Sequence, residues 1–146
     1  MQKCEPAQAI VFCRRGKEGN LYPENLLYHQ THEWVKVEGS IATIGITYYA
    51  QDQMGDLVYV EVPEVGQEVR AGEPIGAVES VKAVEDVHAP VSGKVVEANQ
   101  GLTDAPEIVN RDPYSEGWMA KVEVSNPQEL AALMSSQAYQ QYIASL

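Results

Sequence analysis

From Trp34 to Val124 apolar and polar positions alternate with a period of two, and Gly and Pro interrupt them often. That pattern predicts short β-strands. Trp34, Val35 and Val37 lead to a turn at Glu38-Gly39-Ser40, after which Ile41, Thr43 and Gly45 alternate with Ala42, Ile44 and Ile46. Leu57, Tyr59 and Glu61 alternate with Val58, Val60 and Val62 before Pro63 and Gly66. Further strands are predicted over Glu68 to Arg70, Pro74 to Val81, Ala83 to Val87, Gly93 to Ala98, and Trp118 to Val124. Many short strands with frequent turns imply a sandwich or small barrel. Gly55-Asp56-Leu57-Val58 is echoed by Gly93-Lys94-Val95-Val96, and Gly66 by Gly101. The echo reads either as two quasi-symmetric half-motifs or as a coincidence of Gly- and Val-rich turns.

Two stretches change period. Thr47 can cap a short helix through Tyr48, Tyr49, Ala50, Gln51 and Met54, which Gly55 stops. Near the C-terminus, Asn126 is a good N-cap, Pro127 suits the first helical position and Glu129 the third. Leu130, Leu133, Met134, Ala138 and Gln141 then fall at helical spacing, and Tyr142 and Ile143 extend the apolar side. One continuous C-terminal helix packed on the sheets is the expectation.

Composition narrows the function. The chain has 146 residues, enough for one domain, and 45% of them are hydrophobic, enough for a folded core. Ten basic residues face 21 acidic ones, a net charge of -11. Such a chain is ill suited to phosphate backbones or anionic membrane surfaces, because both attract Lys and Arg. Residues 1–28 hold four basic and three acidic side chains, while residues 29–146 hold six and 18. This shift places a boundary near Tyr28, with an extension over residues 1–27 and a body over 28–146. No apolar run approaches the ~20 residues of a membrane span. Ala9-Ile10-Val11-Phe12 is too short for a secretory signal, and Glu5, Glu18 and Glu24 argue against a mitochondrial presequence. A cytoplasmic protein is expected. Cys4 and Cys13 are too few for a disulfide scaffold or a four-cysteine zinc site.

The informative stretch is Gly76-Ala77-Val78-Glu79-Ser80-Val81-Lys82-Ala83-Val84-Glu85-Asp86-Val87. Two strand-like runs flank a lone lysine. A hairpin tip there would project Lys82 into solvent, within reach of a modifying enzyme. For a single lysine the alternative is an ordinary surface residue.

Glu79-Ser80-Val81-Lys82-Ala83-Val84, with Ala89-Pro90-Val91-Ser92-Gly93 after it, resembles the lipoyl-attachment motif of the glycine cleavage system H proteins. The likeness runs on through Thr31-His32-Glu33-Trp34-Val35, Ile44-Gly45-Ile46-Thr47, Gly55-Asp56-Leu57-Val58 and Val62-Pro63-Glu64-Val65-Gly66. It ends in Val109-Asn110, Asp112-Pro113-Tyr114 and Gly117-Trp118, so it covers roughly Tyr28 to Ile143. A biotin carrier would have Met on both sides of the lysine. Acyltransferase lipoyl domains usually have Asp before it, where this chain has Val81.

The resemblance implies a mostly β fold, a flattened lipoyl-type β-sandwich (barrel-sandwich hybrid) with a short helix and a C-terminal helix. It implies lipoate held by an amide bond on Lys82, with Glu79, Ser80, Val81, Ala83 and Glu85 around the site. The arm's dithiolane can be opened by a reductive transfer, carry a group on one sulfur and be closed by a flavin disulfide oxidoreductase. The chain then needs no acid or base of its own and is a non-catalytic carrier. Glu79, Glu85 and Asp86 serve ligase docking or simply solubility. The implied partners are a lipoate ligase or lipoyl/octanoyl transferase, glycine decarboxylase, a folate-dependent aminomethyltransferase and dihydrolipoamide dehydrogenase. The family's loaded arm tucks into a surface cleft, for which Glu33 and the first short helix are the candidates here.

Three positions depart from the family pattern. Tyr48 stands where Asp is common, Ser115 where Gly is usual, and His88 where Tyr is frequent. The extension with Cys4 and Cys13 departs further. The two thiols are either incidental or exchange with the lipoyl disulfide, with Arg14 and Arg15 favouring the Cys13 thiolate. Such features also fit the H-like lipoate-binding proteins of sulfur oxidation, whose arm serves a heterodisulfide-reductase-like complex. A third reading, a stand-alone metalloenzyme using His29, His32 and Glu33, is disfavoured, since their order is not that of zinc proteases.

Overall fold

The computed structural model describes residues 21–146. Cys4 and Cys13, and with them the expected thiol exchange, lie outside the described residues. The body starts with β1 (Leu27–Tyr28), β2 (Glu33–Glu38) and β3 (Ile41–Ile46), followed by α1 (Tyr48–Met54) and β4 (Leu57–Glu61). β5 (Glu68–Val69), β6 (Pro74–Ser80), β7 (Val84–His88) and β8 (Gly93–Ala98) come next. Two short helices, α2 (Gly101–Asp104) and α3 (Glu107–Arg111), precede β9 (Ala120–Val124), a 3-10 turn (Pro127–Ala132) and α4 (Ser136–Ala144).

The strands form two antiparallel sheets. One runs β1-β2-β3-β9-β8-β5, the other β4-β6-β7. Val35, Ile44, Val95 and Val122 from the larger sheet share a buried core with Leu57, Val60, Val78 and Val87 from the smaller one. The mostly β, two-layer sandwich read from the alternation is therefore the fold found. The echoed segments open β4 and β8, which lie in opposite sheets.

A second buried cluster joins Leu26, Tyr28, Trp34 and Tyr139. Trp34 lies flat against Gly45, where a side chain would sit 2.7 Å from its ring, and its Nε1 donates to the Pro113 carbonyl at 2.9 Å. Tyr22 and Leu26, ahead of the composition boundary, also pack into this aromatic cluster. Tyr48 meets Tyr22 edge-on, with ring centroids 6.4 Å apart. The departure at position 48 is thus an aromatic contact of the segment that leads into the body.

The C-terminal expectation needs a correction. The helix is not continuous. Pro127–Ala132 is a 3-10 turn, Leu133 is extended, and α4 begins anew at Ser136 under a Ser135 cap. Met134 makes a two-way backbone bridge with Tyr28, both bonds 2.8 Å, and this β-type pairing interrupts the helix. Glu129, on the 3-10 turn, accepts from the Ser92 N–H at 2.7 Å and its hydroxyl at 2.8 Å. The helices α2 and α3 and the strand β1 were not expected from the pattern. They are two to five residues long, too short to show a period.

Candidate functional site

Lys82 stands at the tip of the β6-β7 hairpin. Ser80 builds the turn: its N–H donates to the Ala83 carbonyl at 2.8 Å, and its Oγ accepts from the N–H groups of Lys82 and Ala83 at 3.3 and 3.2 Å. Ser80 is buried, which fixes the base of the turn, whereas Val81 is 88% exposed. The turn therefore pushes Lys82 outward as a rigid corner. Glu79 and Glu85 are exposed on the two strands, and Ala83 is half-buried inside the turn. The structure thus brings Glu79, Ser80, Val81, Lys82, Ala83 and Glu85 together at one hairpin end.

A second element meets that corner. A methyl group on Gly55 would touch Lys82 Cε at 3.9 Å, so the lysine stem passes over the end of α1. Gly55 caps α1 at φ +81°, a region that favours glycine. Asn110 on α3 holds this junction. Its Nδ2 donates to the Gly55 carbonyl and to Gln51 Oε1, each at 2.9 Å, and its Oδ1 accepts from the Leu57 N–H at 2.9 Å. The sequence places Asn110 in the family-like Val109-Asn110 pair but does not point to this task. Its three partners lie more than 50 positions away in the chain, so no local signal exists.

Glu33 marks another feature. It is 1% exposed, and its Oε2 accepts from the His88 N–H at 3.0 Å. Its Oε1 takes the Thr31 hydroxyl, and His29 Nδ1 lies 2.6 Å from that same hydroxyl. Burial pushes the Glu33 carboxyl up to about 8, against the opposing effect of these hydrogen bonds. Burial lowers His29, with His88 adding to it, and also lowers His32, with His29 adding to it. His32 turns away: its Nδ1 meets Tyr139 Oη at 2.8 Å, and Tyr139 Oη also meets Thr47 Oγ1 at 2.8 Å. Among the described residues no group of three or more His, Cys, Asp and Glu could hold a metal ion. The metalloenzyme reading finds no support in this geometry. Glu33 contacts the far end of β7 through His88, six positions along the chain from Lys82.

An exposed lysine on a hairpin tip, with a glycine near its stem, can carry an acyl group. The comparisons then decide the family. The glycine cleavage H-protein model matches residues 26–146. The chain belongs to the glycine cleavage H-protein family. It is 55% identical over 117 residues to a glycine cleavage system H protein of Symbiobacterium thermophilum, covering 80% of this chain and 91% of that one. It is 54% identical over 117 residues to the Thermotoga maritima protein of the same name, covering 80% and 94%. Among solved structures, a glycine cleavage system H protein from Mycobacterium marinum matches with a TM-score of 0.74 at 36% identity, covering 84% of this chain and 97% of that one. The comparisons support the expected role of an H protein, a lipoyl carrier in glycine cleavage, and do not favour the sulfur-oxidation alternative. No described helix is long and apolar enough to cross a membrane.

Proposed function

We propose that Lys82 is the point of lipoate attachment and that this H protein presents the arm in turn to glycine decarboxylase, an aminomethyltransferase and dihydrolipoamide dehydrogenase. The observation that carries this reading is the Ser80-built turn, which holds Lys82 at an exposed corner. When bound, the group supplies a flexible arm whose disulfide opens, takes up an aminomethyl group and is closed again by an oxidoreductase. The chain's own residues do the rest. Ser80 and the paired strands orient the lysine, whose stem lies beside Gly55. Amide formation removes the charge on Lys82, so the tip becomes neutral amid Glu79, Glu85 and Asp86. The neighbourhood of Glu33 and α1 is the candidate place for the loaded arm to lie out of water. Residues 1–27 are an extension to a carrier body over 28–146, whose first aromatic cluster Tyr22 and Leu26 join.

The test is intact mass after co-expression with a lipoate ligase. The wild-type chain gains one lipoyl group and Lys82→Ala gains none. A lipoyl group on Lys82→Ala, or none on the wild type, overturns the assignment.

A further inference from the structure

The smaller sheet, β4-β6-β7, has an edge that no described element covers. The β4 side is met by α2, where the Thr103 hydroxyl donates to the Val60 carbonyl at 3.2 Å. The β7 side faces no described strand. Its direction is fixed at His88, whose N–H leaves the sheet for Glu33 Oε2 at 3.0 Å. Alternate residues of a strand bond to opposite sides, so the N–H and C=O groups of Asp86 and Val84 point the same way. Among the described residues nothing bonds to them. The edge is open towards the other sheet as well: Glu85 is exposed although its partner on β6, Val78, is only 3% exposed.

Charge selects the occupant. Val84 is 63% exposed, and the exposed acids Glu79, Glu85 and Asp86 stand around it. An unpaired edge is a template for another chain, and acids along it restrict which chain it accepts. A second copy of the body would set the same acids against each other. The cationic segment of this protein is the extension. Ala9-Ile10-Val11-Phe12-Cys13 is an uncharged run rich in strand-forming residues, and Arg14, Arg15 and Lys17 follow it with no acid between. The extension joins the body near β7. Tyr22 packs on Tyr139 with ring centroids 5.6 Å apart, Tyr139 Oη meets His32 Nδ1 at 2.8 Å, and the next residue, Glu33, holds the His88 N–H. The chain from Phe12 to Leu21 can span about 30 Å, enough to lay the apolar run along the three residues of open edge.

We propose that residues 9–13 pair with the outer edge of β7 and add a strand to the smaller sheet, with Arg14 and Arg15 against Glu85 and Asp86. The added strand bonds the N–H and C=O groups of Val84 and Asp86, covers the Val84 side chain and shuts the edge to other chains. The pairing needs no lipoyl group on Lys82.

The test is amide hydrogen exchange by NMR on the full chain. Val84 and Asp86 are expected to exchange slowly in the wild type, alongside Glu85 and Val87, whose N–H groups face β6. Ile10→Pro with Val11→Pro removes two successive N–H groups, one of which faces β7 in either register. It is expected to speed exchange at Val84 and Asp86 about tenfold or more and to leave Glu85 and Val87 unchanged. Arg14→Glu with Arg15→Glu should act in the same way, and adding Glu85→Arg with Asp86→Arg should slow the exchange again. Fast exchange of Val84 and Asp86 in the wild type, no change in the extension variants, or no recovery in the charge swap overturns the proposal. Protection that grows with protein concentration also overturns it, because a second copy then fills the edge.

Discussion

Asn110 holds Gly55 in place: its Nδ2 donates to the Gly55 carbonyl at 2.9 Å, and Gly55 lies under the stem of Lys82. One side chain on α3 thereby ties together the end of α1 and the start of β4, next to the presenting lysine.

Asn110→Ala is expected to lower stability by about 2–3 kcal/mol, because it leaves the partly buried Leu57 N–H and Gly55 carbonyl without their partner. For a domain of this size that is a fall of roughly 6–10 °C in Tm. Differential scanning calorimetry checks it. Lipoylation of the folded fraction should also slow, since α1 no longer has a fixed end beneath Lys82.

Glu33 makes stability depend on pH. Its carboxyl is raised from 4.5 to about 8 by burial. Between those values the folded chain keeps a proton that the unfolded chain has released. Stability is therefore greatest, from this group, below 4.5 and is lost as pH rises through 8, at up to about 1.4 kcal/mol per pH unit. Glu33→Gln can still accept from the His88 N–H and removes the ionisation. The groups facing Glu33 are His29, Thr31, His88 and Tyr139, and the lowered His29 gives a slope of opposite sign below its ordinary value of 6.5. The difference between wild-type and Glu33→Gln urea midpoints isolates the carboxyl. It should grow in favour of the variant from pH 5 to 8 and then level off.

Two echoed glycines should respond differently to a methyl group. At Gly93 an added Cβ would sit 2.0 Å from the Glu123 carbonyl oxygen and 2.7 Å from Val122 Cγ1, so β8 and β9 would have to part. Gly93→Ala is expected to cost about 2 kcal/mol or more. At Gly101 the nearest atom is Asn99 Oδ1 at 3.5 Å, and the residue opens a helix. Gly101→Ala should be neutral or stabilising by about 0.5 kcal/mol. Urea unfolding of both variants decides, and equal midpoints would contradict the packing argument.

The period-two alternation located most strands of both sheets to within a residue or two, because each strand buries one face and must write that choice into its sequence. The Thr47 cap and the Gly55 stop likewise marked α1, since caps act through neighbouring residues. Lys82 was legible for the same reason: its turn is built by Ser80, two positions away. The C-terminal helix was misread because Met134 is recruited by Tyr28, a partner 106 positions earlier, and such a pairing leaves no local trace.

By itself, then, the sequence determined the fold class, the acidic body and the lysine that stands out of it. These depend on neighbours a few residues apart. Only the tertiary structure decided that Asn110 braces the lysine's platform and that Glu33 is buried against His88. Each of those joins residues distant in the chain, and only the closing of the two sheets brings them within reach.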